Sequence, residues 1–201
     1  MPSTKFITLA LVCFMLFGVQ GFAVELQLDP SHSRIAFKVR SMRLWVHGHF
    51  KKFSGHASYD PKTGLVQSMK VNIDASSVDT NESDRDKHLR SENFFWTDKH
   101  KNISFEAHKF EYTGAKKKRL KKIYGSLSIR GKTQPLSLEV RNLGTSTDPW
   151  GIQRLGFETQ GKIDRNAFGL TWNRSLPKTA AYLFVNNEVQ LEISCQAKIT
   201  G

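Results

Sequence analysis

Cysteine is nearly absent from this chain: its 201 residues include two, Cys13 and Cys195. Cys13 lies in an N-terminal leader, so the rest of the chain cannot close a disulfide on itself and is not a disulfide scaffold. Acidic residues are also scarce, with 18 Asp and Glu against 30 Lys and Arg and a net charge of +12. Long apolar runs are missing except for Phe6 to Val19, which is shorter than the roughly 20 residues a membrane-crossing helix needs. No nucleophile-and-base arrangement with a fixed sequence signature occurs, which leaves the common hydrolase classes without support.

Lys5 precedes that apolar run, and Gly21-Phe22-Ala23 places small residues where a signal peptidase cuts. Residues 1–23 therefore read as a cleaved secretory signal, and residues 24–201 as one mature domain. Val12 stands directly before Cys13, where a lipoprotein signal wants a small residue. Cleavage removes Lys5 and Cys13 and leaves a strongly basic chain. In a cytosolic protein that charge would point to nucleic acid. Export removes this partner and leaves anionic lipids or acidic ligands.

The dominant period is two, the period at which side chains alternate between the faces of a strand. Ile35, Phe37 and Val39 alternate with Arg34, Lys38 and Arg40, while Met69, Val71 and Ile73 alternate with Lys70, Asn72 and Asp74. Ile103, Phe105 and Ala107 repeat the pattern, as do the runs from Tyr124, Pro135 and Leu155. Cys195 falls in phase with Val189, Leu191, Ile193 and Ala197, which predicts a buried thiol. Turn residues punctuate these runs at Asp60-Pro-Lys-Thr-Gly, Gly114-Ala-Lys, Arg130-Gly, Asp148-Pro-Trp-Gly and Asn186-Asn187. Short turns between alternating runs predict a mainly β, antiparallel fold of about eight strands, closed as a sandwich or a barrel. A barrel of that size either fills with side chains or holds one small ligand.

Ser83 to Phe95 breaks the period with Ser-Asp-Arg-Asp-Lys-His-Leu-Arg-Ser-Glu-Asn-Phe-Phe. Ser83 and Asp86 have the spacing of a capping box, and Asp86 and Arg90 that of an i,i+4 ion pair. A short helical insertion near residues 83–91 is expected, folded against the β body by Leu89, Phe94 and Phe95. Arg85, Asp86 and His88 suit either an acid–base site or the caps and polar contacts of such a helix. His47-Gly-His49 puts two imidazoles on one face of a strand. With Asp86 and His88, that pair supports an alternative reading as a metal-binding protein or hydrolase. Lys116 to Lys122 concentrates positive charge, either as a solvated hairpin tip or as peripheral contact with an anionic membrane. The aromatic set Phe37, Trp45, Phe50, Phe53, Phe94, Phe95, Phe105, Phe157, Phe168 and Trp172 is large for the chain and suits a packed core or a cavity wall.

The ordered series Leu28-Asp-Pro-Ser-His-Ser-Arg-Ile-Ala-Phe, Val46-His-Gly-His-Phe-Lys-Lys-Phe-Ser-Gly55 and Ser77-Val-Asp-Thr spans the first half of the mature chain. It continues through Arg85-Asp-Lys-His-Leu, Asn93-Phe-Phe, Ile103-Ser-Phe, Tyr124-Gly-Ser-Leu-Ser-Ile-Arg-Gly131 and Ile163-Asp-Arg-Asn-Ala-Phe-Gly-Leu. This series resembles the YceI-like polyisoprenoid-binding proteins of bacteria. The resemblance implies an extended lipocalin-like antiparallel β-barrel in the periplasm of a Gram-negative bacterium. It also implies a non-enzymatic binding or carrier role, with no covalent cofactor and an isoprenoid lipid of quinone or polyprenyl phosphate type, or a similar amphiphile, held in the interior. Candidate cavity and mouth residues are then Phe37, Trp45, Phe50, Arg85, His88, Leu89, Phe94, Phe95, Phe105 and Phe168, with Asp86 orienting Arg85. The chain departs from the family pattern at Ala167, at Asn186-Asn187 and at Trp45, whose bulk would narrow or shorten the cavity. Homodimerisation is compatible with the family, and no pattern in the sequence argues for it.

Overall fold

Alternating runs of this length can bury one face only by pairing with one another, and here they close on themselves. The computed structural model describes residues 23–114, 119–172 and 185–200. The expected signal peptide, apart from Ala23, lies outside the described residues, as do Lys116, Lys117 and Lys118 of the basic run.

The strands are β1 (Val24–Leu28), β2 (Arg34–Ser41), β3 (Leu44–Phe50), β4 (Phe53–Asp60), β5 (Leu65–Asp74) and β6 (Val78–Asp79). Helix α1 (Ser83–Arg90) follows, then β7 (Asn102–Thr113), β8 (Arg119–Ile129), β9 (Lys132–Thr147), β10 (Gln153–Asp164) and β11 (Val185–Thr200). Strands β1, β4, β5, β7, β8, β9, β10 and β11 form a ring that returns to β1, an eight-stranded antiparallel barrel. Beyond β1, the first half of β11 pairs instead with β2, which carries β3 and β6 beside it. The chain passes from β1 to β2 through a 3-10 turn at Pro30–His32, so the two strands act as one broken partner for β11.

The longest strands, β9 and β11, have 16 residues each, about 50 Å at 3.3 Å per residue. This is the elongated barrel that the resemblance implied. One end carries the β4–β5, β7–β8 and β9–β10 connections and is called the turn end. The other carries α1, the β2–β3 and β8–β9 hairpins and a 3-10 turn at Arg165–Phe168, and is called the helix end.

Two hairpins use two-residue turns with positive φ at both positions, Arg130–Gly131 and Met42–Arg43. Asn186 and Asn187, expected as a turn, lie inside β11, where the register against β2 slips between Val185 and Val189. The pair is accommodated as a strand irregularity because Arg165 holds this stretch, through its Nε bond to the Asn186 carbonyl at 3.0 Å and its Nη2 bond to the Val185 carbonyl at 3.1 Å.

At the turn end Asp29 and Asp148 share one guanidinium. Arg154 donates Nη1 to Asp29 at 2.7 Å and Nε to Asp148 at 2.9 Å. Asp148 also accepts from the amides of Trp150 and Ile152 and so fixes the β9–β10 turn. The Arg154 bond is the main reason the Asp29 carboxyl drops to about 2. A carboxyl depressed in the fold stabilises it above its unfolded pKa of about 3.9 and loses that effect as pH falls towards the folded value. Acid denaturation should therefore show a loss of stability between about pH 4 and pH 2, and Asp29→Asn should flatten that part of the profile; an unchanged profile would show that the ion pair contributes nothing.

Close strand approach makes a second demand. A Cβ on Gly125 would sit 2.5 Å from both the Glu106 carbonyl oxygen and the Phe105 ring. Gly125→Ala should cost about 1–3 kcal/mol in denaturant unfolding, with Phe105 forced from its place on the inner wall.

Candidate functional site

The inner faces of the strands enclose a cavity of about 1010 Å³, at the upper end of the ~300–1,000 Å³ range of small-molecule sites. Its wall is hydrocarbon for most of its length. Leu26, Val66 and Leu155 line it near the turn end, Ile123, Leu138 and Leu191 along the middle, and Phe94 and Phe95 beside the helix. The strand periodicity explains this wall directly. Residues that alternate inward on every strand meet in the interior, and an eight-stranded barrel this long leaves space between them.

Of the aromatic candidates, Phe37, Phe50 and Phe95 form a chain of rings, with centroids 5.7 Å and 5.8 Å apart. They line the cavity together with Leu89, Phe94 and Phe105. Phe37 has room to lie flat because it covers Gly48 across the β2–β3 pair, where a Cβ would come within 2.4 Å of the ring.

Phe168 does not line the cavity. The 3-10 turn at Arg165–Phe168 folds its ring into packed core, where it is 2% exposed. Trp45 reaches the cavity only at its rim. It shares a strand face with Lys38 and Arg40, and their cations lie 5.3 Å and 4.7 Å from its ring centroid. Its bulk lies under those cations, not across the interior.

The helix cap also differs from expectation. Glu82 is the N-cap, and its carboxylate accepts from the amides of Asp84 and Arg85 at 3.1 Å and 2.6 Å. Asp86 is freed from that role and is buried, accepting from the Thr80 amide at 2.8 Å and the Thr80 hydroxyl at 2.6 Å. Arg90 donates to the Val78 carbonyl instead of pairing with Asp86.

Asp86 does orient Arg85, but through Thr80. The Thr80 hydroxyl accepts Arg85 Nε at 2.7 Å and the Thr80 carbonyl accepts Nη2 at 2.8 Å. Arg85 is thereby held at the mouth with Nη1 outside the described hydrogen bonds. His88, one turn on, presents its ring edgewise to Phe94 at 5.0 Å and Trp172 at 5.1 Å. Arg85 and His88 thus mark where the lining turns polar.

His47 and His49 occupy the strand face of Trp45, opposite Lys38 and Ala36 on β2. Among the described residues, no group of three or more His, Cys, Asp or Glu could hold a metal ion. In the basic run, Leu120 is buried and Lys121 and Lys122 lie in β8, pairing with Glu111 and Glu139 at 3.6 Å each.

Three wall residues of consequence were not singled out as site residues from the sequence. Trp172 completes the aromatic group around His88. Arg165 is buried and gathers the Leu170, Val185 and Asn186 carbonyls at the helix end. Thr159 faces the interior from the middle of β10, at a register slip against β9, and is 3% exposed. Its hydroxyl has no hydrogen-bond partner among the described protein atoms. Cys195 also lines the cavity and is buried as expected, and desolvation pushes its thiol up to about 11.

A family model described as the YceI-like domain matches residues 26–197. Protein YceI of Salmonella newport is 33% identical over 165 residues, covering 82% of this chain and 84% of that one. The crystal structure of Burkholderia cenocepacia BcnA superposes with a TM-score of 0.65 at 20% identity, covering 84% of this chain and 98% of that one. A polyisoprenoid binding domain from Saccharophagus degradans, implicated in plant cell wall breakdown, superposes with a TM-score of 0.64 at 14% identity, covering 89% of this chain and all of that one.

A buried hydroxyl without a partner costs roughly 1–3 kcal/mol, and valine has nearly the same shape. Thr159→Val should therefore raise the melting temperature of the ligand-free protein. A lower melting temperature would show that the hydroxyl is satisfied within the fold.

Proposed function

Because the chain belongs to the YceI-like family, we propose that it is a non-enzymatic binding or carrier protein that sequesters the apolar tail of an isoprenoid lipid, or of a similar amphiphile, inside its barrel. The observation that carries this reading is the predominantly hydrocarbon lining of the 1010 Å³ cavity, with Arg85 and His88 at its mouth. Burial is worth about 0.8 kcal/mol per methylene, so each five-carbon isoprene unit contributes about 3–4 kcal/mol before the costs of association. A few buried units give useful affinity, and no catalytic constellation is required. The isoprenoid assignment draws on the binding role named for the structural neighbour from Saccharophagus degradans.

The mouth supplies recognition. Arg85, held by Thr80 and through it by Asp86, meets an anionic or carbonyl-bearing headgroup, and His88 lines the mouth beside it. The leader expected at residues 1–23 supports a periplasmic site of action, where a water-insoluble tail needs shelter between membranes. The alternative of a metal centre or hydrolase gains nothing from the geometry: among the described residues no three His, Cys, Asp or Glu group as a metal site requires, and His88 packs against two aromatic rings.

Native mass spectrometry of the exported protein, followed by solvent extraction, should reveal an amphiphile of low molecular mass. Leu191→Trp, which fills the middle of the cavity, should abolish its retention in a protein of normal stability. Arg85→Ala should weaken a ligand with an anionic head by about tenfold or more and leave a neutral-headed one nearly unchanged. Protein that carries no lipid and takes up no added amphiphile would refute the reading.

A further inference from the structure

The β2–β3 hairpin presents features that sequestration alone does not use. Its two-residue turn is Met42–Arg43, with φ of 48° and 68°. This mirror-image turn is normally filled by Asn-Gly or Asp-Gly, because those residues take positive φ at little cost. Two long L side chains there hold backbone strain of the kind that persists at functional sites.

The turn is braced. Arg40 donates to the Arg43 carbonyl, and its guanidinium lies 4.7 Å from the Trp45 ring centroid. What it displays is apolar: Leu44 is 72% exposed, Met42 58% and Trp45 38%. Leu44, Val46, Gly48 and Phe50 share one face of β3, and Met42 and Leu44 both belong to the rim of the cavity. Apolar surface therefore runs unbroken from the interior to an exposed tip.

The charged residues of the hairpin itself, Arg34, Lys38, Arg40 and Arg43, are of one sign. Arg40 and Arg43 flank the tip and stand outside the ion pairs found among the described residues, while Lys38 pairs with Glu192. Exposed Trp, Leu and Met beside Arg and Lys is the composition of an interfacial anchor, in which apolar groups enter the headgroup boundary and cations meet lipid phosphates. A second copy of the chain fits less well. A two-fold contact through this tip would bring its arginines towards their own copies.

We infer that the β2–β3 hairpin docks the mouth of the barrel on a bilayer surface containing anionic phospholipid. Met42, Leu44 and Trp45 enter the headgroup layer, Arg40 and Arg43 bind phosphates, and the β3 face gives a tail a path into the cavity that avoids water. This adds a place of action to the sequestration reading. The test below scores vesicle attachment whether or not the barrel holds lipid, so the two readings fail separately.

The experiment is flotation of the purified mature protein with phosphatidylcholine vesicles, with and without phosphatidylglycerol. Attachment should require phosphatidylglycerol and weaken as salt rises. Arg43→Glu, which removes a favourable charge and adds an opposing one, should lower the partition coefficient about thirtyfold, and Leu44→Asp, which puts an opposing charge where an apolar side chain inserts, should lower it about tenfold or more. Arg119→Glu, at the turn end, should leave attachment unchanged. The double variant Met42→Asn, Arg43→Gly should raise the melting temperature, because its turn is unstrained, and still lose attachment; a structural role for the native turn predicts neither effect. Hairpin variants that bind like the wild type, equal binding to neutral vesicles, or a vesicle-indifferent dimer that Leu44→Asp dissociates would each overturn the inference.

Discussion

Closure of the barrel depends on one strand having three partners. Strand β11 pairs with β10 along nearly its whole length, with β1 over its last residues and with β2 over its first. That division removes the open edges that a long sheet would otherwise expose. It also lets the wall extend past the ring on the helix side, where β2 and β3 stand beside the start of β11. The mouth, the hairpin tip and the seat of Arg165 all follow from this extension.

The interior stays open for a related reason. Inward positions carry Leu, Ile, Val and Phe, and the ring spacing of eight strands exceeds what these side chains fill along so long a barrel. Glycines tighten the wall locally, at Gly48 beneath Phe37 and at Gly125 beneath Phe105. Polar demand is displaced to the ends. Asp29, Arg154 and Asp148 tie the turn end together, and Thr80, Asp86 and Arg85 do so beside the helix. Such a distribution favours a ligand whose tail is apolar and whose head stays near water.

The barrel was legible in the sequence because strand alternation is a local, repeated signal that burial enforces at every turn of the pleat. The helix was legible as well, since its charges break that period. Its cap was not, because Ser83 and Asp86 satisfy the spacing rule while Asp86 in fact reaches back to Thr80, a contact no helical spacing encodes. The aromatic wall could be named in part, but Ile123, Leu138 and Leu191 could not be told from packed core, since both patterns alternate identically. Phe168 misled for the same reason in reverse: it is buried, but a 3-10 turn aims it away from the cavity. The Met42–Arg43 hairpin carried no turn residue to announce it, and Asn186-Asn187 announced a turn that strand pairing absorbed.

The register of Glu25 against Thr200 has a consequence for how the chain comes to be folded. The ring cannot close until its final strand is available, because the pairing that seals it joins the first strand to the last. Such distant pairings form slowly, since the entropy of closing the loop must be met before any contact rewards it. A nascent chain of this design therefore stays open throughout its synthesis. Until the ring closes, β1 and β10 each keep an edge that another chain could pair with, so the last strand both seals the wall and removes that hazard.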